Sequence, residues 1–204
     1  MAPRSVAALA LAASLSLGTA IAWADSAARV EGIENFRQVN DRIYRGAQPD
    51  PTAWPSLAKL GVKTVIDLRR DVEHSCSEER RAVEAAGMKY VNFPMNGFDT
   101  PTAEQMTRVL ALMDGNAPVF VHCKQGRDRT GTVIATWRMA REKWTNEKAL
   151  AEARDCGLHW YENGMRRFIS GYRLAGAGTQ MAAAPAIADS LRSGAMNAAP
   201  VAVP

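Results

Sequence analysis

Histidine, cysteine and long apolar runs are all scarce in this chain of 204 residues, which carries three His and three Cys. No Cys or His pairing has zinc-finger spacing, and none of the histidines has a second ligand at suitable spacing, so neither a metal site nor a metal cofactor is expected. The charge balance is only +4. With no basic helix and no strand mixing aromatic and basic residues, it gives no case for nucleic acid, although a mildly basic surface suits an anionic substrate. There is no internal repeat. Only one stretch, near the amino terminus, is apolar for long enough to approach a membrane span. Beyond Ala175 the composition is Ala, Gly, Pro, Met and Ser without periodic support, which is expected of a disordered tail.

The densest information lies in His122-Cys123-Lys124-Gln125-Gly126-Arg127-Asp128-Arg129-Thr130-Gly131. The apolar run Pro118-Val119-Phe120-Val121 before it reads as a buried strand, and Thr132 to Trp137 after it reads as a buried helix. A tight loop between a strand and a helix N-terminus points backbone N–H groups inward, and the helix dipole adds to its attraction for phosphate. A cysteine attacks as its thiolate, a form favoured by a helix N-terminus and by neighbouring cations. Cys123 has both at hand. Arg129 is spaced to fold over a bound anion and grip two oxygens with its planar fork. Gly126 admits close backbone approach or positive φ. Thr130 places a hydroxyl where it can donate to the sulfur, and His122 is expected to orient the loop through hydrogen bonds. Lys124, Gln125, Arg127 and Asp128 complete the phosphate-binding set; Lys124 and Arg127 either favour the thiolate or contact further phosphates.

His-Cys, five residues, Arg, Thr and Gly resembles the signature loop of the cysteine-based tyrosine and dual-specificity phosphatases. Asn35 to Val39, Arg42 to Pro49 and Gly61 to Arg69 follow in the order seen in compact atypical dual-specificity phosphatases, notably the plant and fungal group and its bacterial relatives. The resemblance spans roughly residues 33 to 173, one domain in size. It implies a metal-independent phosphatase in which a carboxylate protonates the leaving group and later activates water. Asp99, in the loop before the helix that leads to Cys123, lies where such enzymes carry that acid, though nearer to the cysteine than is usual. Asp128 resembles the loop aspartate of the myotubularin and Sac-type lipid phosphatases. Each has a plainer alternative, Asp99 as part of a turn and Asp128 as a structural carboxylate. His74 and His159 have no constellation around them and read as solvent-facing or loop residues.

Residues 1–24 read as a secretory signal peptide, with Arg4, an apolar run from Val6 to Ala22 and an Ala22-Trp23-Ala24 cleavage site; an uncleaved anchor is the alternative. Residues 25–32 form a linker, 33–174 the phosphatase domain and 175–204 the tail. The expected product is a periplasmic or secreted monomer with no stable membrane span. In an oxidising compartment Cys76 and Cys156 form a candidate disulfide; free buried thiols, or one that resolves oxidised Cys123, are the alternatives.

Strands are expected at 35–39, 42–45, 62–68, 88–95 and 118–121. Helices are expected at 52–60, 78–86, 102–114, 130–142, 145–155 and 160–174. The alternation implies an α/β fold, a mostly parallel central sheet with helices on both faces, dual-specificity-phosphatase-like, with the cysteine loop at a strand's carboxyl end. The expected function is hydrolysis of phosphotyrosine, and of phosphoserine or phosphothreonine, in a protein or peptide through a phosphocysteine. The alternatives are an inositol phosphate, pyrophosphate or phosphoinositide substrate, a catalytically weak phosphate-binding module, and a rhodanese-like sulfur transferase, which Arg129-Thr130-Gly131 suits less well.

Overall fold

The computed structural model describes residues 29–173. The expected signal peptide, the start of the linker and the Ala/Pro-rich tail lie outside the described residues. Among the described residues no helix is long and apolar enough to cross a membrane.

Five strands form one sheet: β1 (Arg37–Gln38), β2 (Ile43–Gly46), β3 (Thr64–Asp67), β4 (Lys89–Asn92) and β5 (Val119–His122), in the order β1-β2-β5-β3-β4. Only β1 runs antiparallel to its neighbour; the other pairings are parallel. The cysteine-bearing β5 is therefore central. The described residues form six helices, of which the last two pack behind the fourth: α1 (Trp54–Lys59), α2 (Cys76–Ala85), α3 (Ala103–Met113), α4 (Asp128–Glu142), α5 (Asn146–Asp155) and α6 (Asn163–Gly171). A single 3₁₀ turn, Asp71–Glu73, follows β3.

Strand alternation sends successive side chains to opposite faces, and the two cores follow that rule. Ile43, Ile66, Val119 and Val121 pack with Met106 and Val109 of α3 and with Val133, Ile134 and Trp137 of α4. Tyr44, Val65 and Phe120 pack on the other face with Trp54 and Leu57 of α1 and Val83 of α2. Each fully buried large side chain contributes roughly 1.5–3 kcal/mol of transfer free energy. Behind α4, Met139, Leu150, Met165 and Ile169 join α4, α5 and α6 in a third cluster. Helix α4 is consequently enclosed on nearly every side.

Helix starts obey local chemistry. Ser75 caps α2 by accepting from the Glu78 N–H, and Thr102 and Gln105 exchange a reciprocal capping box at α3. Several boundaries differ from the sequence reading. Helix α4 begins at Asp128, one turn's edge earlier than expected, so Asp128 and Arg129 are helical. Strand β1 shrinks to two residues because Asn35 sits at φ 51°. Strand β4 ends at Asn92, although the Phe93 and Met95 N–H groups still donate to the carbonyls of Asp67 and Leu68. Helix α6 begins only at Asn163, because residues 159–162 form a turn against the cysteine loop.

The expected Cys76–Cys156 disulfide is not formed; all three cysteines are free. Cys76 opens α2, whose contacts are with edge strand β4. Cys156 ends α5, and its carbonyl accepts from Asn35, just before strand β1 at the opposite edge. The width of the sheet separates them.

Candidate active site

The loop after β5 lies at the carboxyl end of the central strand, flanked by β2 and β3. Gly126 takes φ 67°, and a Cβ there would come within 2.4 Å of the Gly46 carbonyl carbon. Glycine is thus required both for the left-handed backbone and for the approach of the loop to β2. Two side chains hold the Gly126 carbonyl from below: the Asn35 amide donates to it at 2.9 Å, and the buried Arg45 guanidinium donates to it as well. Arg45 Nε and Nη1 have no hydrogen-bond partner, and burial lowers the pKa of this arginine. Sequence reading missed both residues. The one available signal was a charged residue, Arg45, at the end of the strand expected over 42–45.

Cys123 is 3 % exposed and lines a cleft of about 300 Å³. Lys124, Gln125, Asp128 and Arg129 line it with Cys123, so the strand, loop and helix meet there as the spacing implied. Arg127 does not line it. Its side chain lies against Gly157 and its guanidinium is 3.5 Å from His159 Nε2. Thr130 Oγ1 is buried and has no hydrogen-bond partner, so the expected donation to sulfur is not made in this structure.

Arg129 is held by Glu73, which lines the same cleft. Its Nη1 and Nη2 donate to the two Glu73 oxygens at 2.7 and 2.8 Å, and Nη1 also reaches the Met95 carbonyl at 3.3 Å. That arrangement occupies the end of the fork and leaves the Nε side edge for an anion. Burial alone would raise the Glu73 pKa, but the hydrogen bonds and charge of Arg129, with the Arg70 backbone N–H, hold it at about 2. Glu73 was not identified from sequence, because a 3₁₀ turn 56 residues upstream carries no spacing signal.

His122 shares the face of Phe120 and stacks on it at 5.4 Å. Its Nε2 is 2.9 Å from Glu79 Oε1 without hydrogen-bond alignment, and 4.0 Å from Asp67. Arg69 donates to Asp67 at 2.9 and 3.0 Å and also pairs with Glu79, while His74 Nε2 lies 2.7 Å from Asp67 Oδ2. The Tyr90 hydroxyl donates to Asp67 at 2.9 Å. Burial raises Asp67, but His122 and Arg69 outweigh it and hold the carboxyl low. His122 thus has carboxylate neighbours that sequence spacing did not reveal, and the expectation that His74 has no constellation around it is corrected. Asp67, Glu79 and His122 converge, as do Asp67, His74 and Cys76. Arg69 already balances both carboxylates, which makes this a buried ion-pair network that braces the cysteine strand.

The two carboxylates picked from sequence have different surroundings. Asp99 is exposed and outside the cleft lining, with Oδ2 accepting from the Asn96 amide at 2.7 Å. Asp128 is in the cleft wall, but its Oδ1 accepts from the His159 N–H at 2.9 Å and both oxygens lie within 3.0 Å of His159 Nδ1. His159, expected to be isolated, is thereby fixed, and it stacks on Tyr161 at 4.8 Å. This places Tyr161 and Glu162 along the same cleft as Arg70, Gly97 and Phe98. Burial, and next the Asp128 charge, raise the Glu162 pKa.

Residues 21–163 match the family described as a DSP-PTPase phosphatase fused to NAD+ kinase. The chain belongs to the atypical dual-specificity phosphatases of the cysteine-based superfamily. It is similar to the dual specificity protein phosphatase TpbA of Pseudomonas aeruginosa, 29% identical over 139 residues, which cover 67% of this chain and 60% of TpbA. The chain therefore spans less than two thirds of TpbA. It is also similar to the inositol diphosphatase DSP3 of Arabidopsis thaliana, 31% identical over 147 residues, covering 69% of this chain and 70% of DSP3. Among solved structures, the catalytic core of the PP-IP phosphatase SIW14 of S. cerevisiae superposes with a TM-score of 0.62 at 25% identity, covering 71% of this chain and 89% of that one. The mostly parallel α/β sheet of this chain is the fold these atypical phosphatases share.

Proposed function

We propose that this chain is a cysteine-dependent phosphatase that hydrolyses phosphomonoesters. The observation that carries the reading is the convergence of Cys123 and Arg129 on one cleft, at the end of the central strand and the N-terminus of α4. Cys123 Sγ attacks phosphorus, the bond to the leaving oxygen breaks, and a phosphocysteine forms. Arg129 and the loop amides stabilise the equatorial oxygens. Water then attacks phosphorus, releasing phosphate and regenerating the thiolate.

Phosphotyrosine in peptides is the substrate class that the cleft favours. Its rim carries Phe98, 81% exposed, and Tyr161, 49% exposed, which can flank an aryl ring. Its walls carry Glu73, Asp128 and Glu162 against Arg70, Lys124 and Arg129, a balance that disfavours a ligand with many phosphates. The likeness to DSP3 and SIW14 supports a second reading, an inositol phosphate or pyrophosphate substrate. Turnover should be measured without added metal on phosphotyrosine, phosphoserine and phosphothreonine peptides and on inositol phosphates and pyrophosphates, with Cys123→Ser as control. The expected result is hydrolysis of phosphotyrosine peptide that Cys123→Ser abolishes. Turnover confined to inositol phosphates would replace the first substrate class with the second. Binding by Cys123→Ser with no turnover by wild type would leave a phosphate-binding module.

A further inference from the structure

The cleft wall contains three carboxylates, and two of them are committed. Both Glu73 oxygens accept from Arg129, and both Asp128 oxygens face His159. Glu162 is the third. It occupies the N-cap position of α6 without capping the helix by its side chain, and it is ion-paired to none of the described residues. It is 6% exposed and lines the same cleft as Cys123 and Arg129.

Its placement is held from several directions. The Glu162 N–H donates to the His159 carbonyl at 3.2 Å, and the Asp128 contact fixes His159 in turn. A Cβ on Gly164 would come within 2.6 Å of Thr100 Oγ1, so the start of α6 is pressed against the 96–102 loop. An uncommitted carboxyl group, nearly buried in the wall of the cleft that holds the nucleophile, has the surroundings of a proton carrier.

We infer that Glu162 is the general acid and base of the proposed phosphatase, the residue that passes a proton to the leaving oxygen and takes one from water. The inference rests on the phosphatase reading. In the first step Sγ bonds to phosphorus, the bond from phosphorus to the leaving oxygen breaks, and the Glu162 carboxyl proton moves to that oxygen. In the second, Glu162 takes a proton from water as the oxygen bonds to phosphorus, and the S–P bond breaks to return the thiolate. Burial favours the neutral acid that the first step requires.

The test is a series of aryl phosphates with leaving phenols from weakly to strongly acidic, measured for wild type and Glu162→Gln, with thermal melts to establish folding. Loss of general acid catalysis should lower kcat by about 10²- to 10⁴-fold on the least acidic phenol. The loss should shrink toward the most acidic phenol, so that the variant depends more steeply on leaving-group acidity. Should Glu162→Gln fail to fold, Glu162→Ala is measured with added formate, which should restore turnover of the poor leaving group. A wild-type slope and rate in Glu162→Gln, or no formate rescue in a folded Glu162→Ala, would overturn the inference while the phosphatase reading stood. So would a steepened slope that appears in Asp99→Asn and not in Glu162→Gln. Absence of turnover by wild type on every ester would overturn the phosphatase reading itself.

Discussion

Arg129 has two neighbours with opposing demands: a phosphoryl group would take the side edge of its guanidinium, and Glu73 already takes the end. The pair gives Glu73 a measurable signature. Its folded pKa is about 2, below the ordinary 4.5, so its contribution to stability is fully present above 4.5 and is lost as pH falls toward 2. Urea denaturation across that window should show wild type losing more stability than Glu73→Gln; parallel curves would mean the pair contributes nothing. At this scale the sequence was legible where identity and spacing act together. Cys123, Arg129 and Gly126 are placed by a ten-residue string because their separation along the chain is their separation in space. Glu73, Arg45, Asn35 and Glu162 are brought in from other elements, and no spacing rule connects them to Cys123. Asp99 and Asp128 had the right chemistry and the right neighbourhood. Asp99 accepts from Asn96, three residues away, whereas the Asp128 oxygens face His159, 31 residues away, which only folding brings near.

At the scale of elements, the strand, loop and helix that carry Cys123 depend on the approach of the loop to β2. Gly126→Ala should destabilise the fold by about 1–2 kcal/mol for the left-handed backbone and by about 1–3 kcal/mol more for overpacking against Gly46. A urea midpoint equal to that of wild type would show that the loop relaxes without cost. The existence and type of the regular elements were readable from apolar periodicity, Gly stops and Ser or Thr caps, because these are short-range effects. Boundaries moved where long-range contacts intervene. The turn at 159–162 forms because Asp128 holds His159, so α6 starts later than periodicity implied; β1 is short because Asn35 turns its amide toward Gly126 and Cys156.

For the whole molecule, the strand order β1-β2-β5-β3-β4 puts the cysteine strand in the middle and the two other cysteines near opposite edges. Thiol titration of denatured, unreduced protein should find three free thiols; a single reactive thiol would mean that Cys76 and Cys156 do pair. Burial, and next the neighbouring Asp71, also push the Cys76 thiol pKa up, which makes it a poor partner for exchange. Sequence alone determined the α/β class, the mostly parallel sheet and the strand, loop and helix around Cys123, since alternation, helical periodicity and turn chemistry are properties of neighbouring residues. Tertiary structure alone decided which carboxylate is paired and which is free, what braces His122 and Arg129 and which cysteines can meet. The physical reason is that electrostatics and hydrogen bonding act over a few ångströms, and residues tens of positions apart come that close only when the sheet order and the packing of α4 are set.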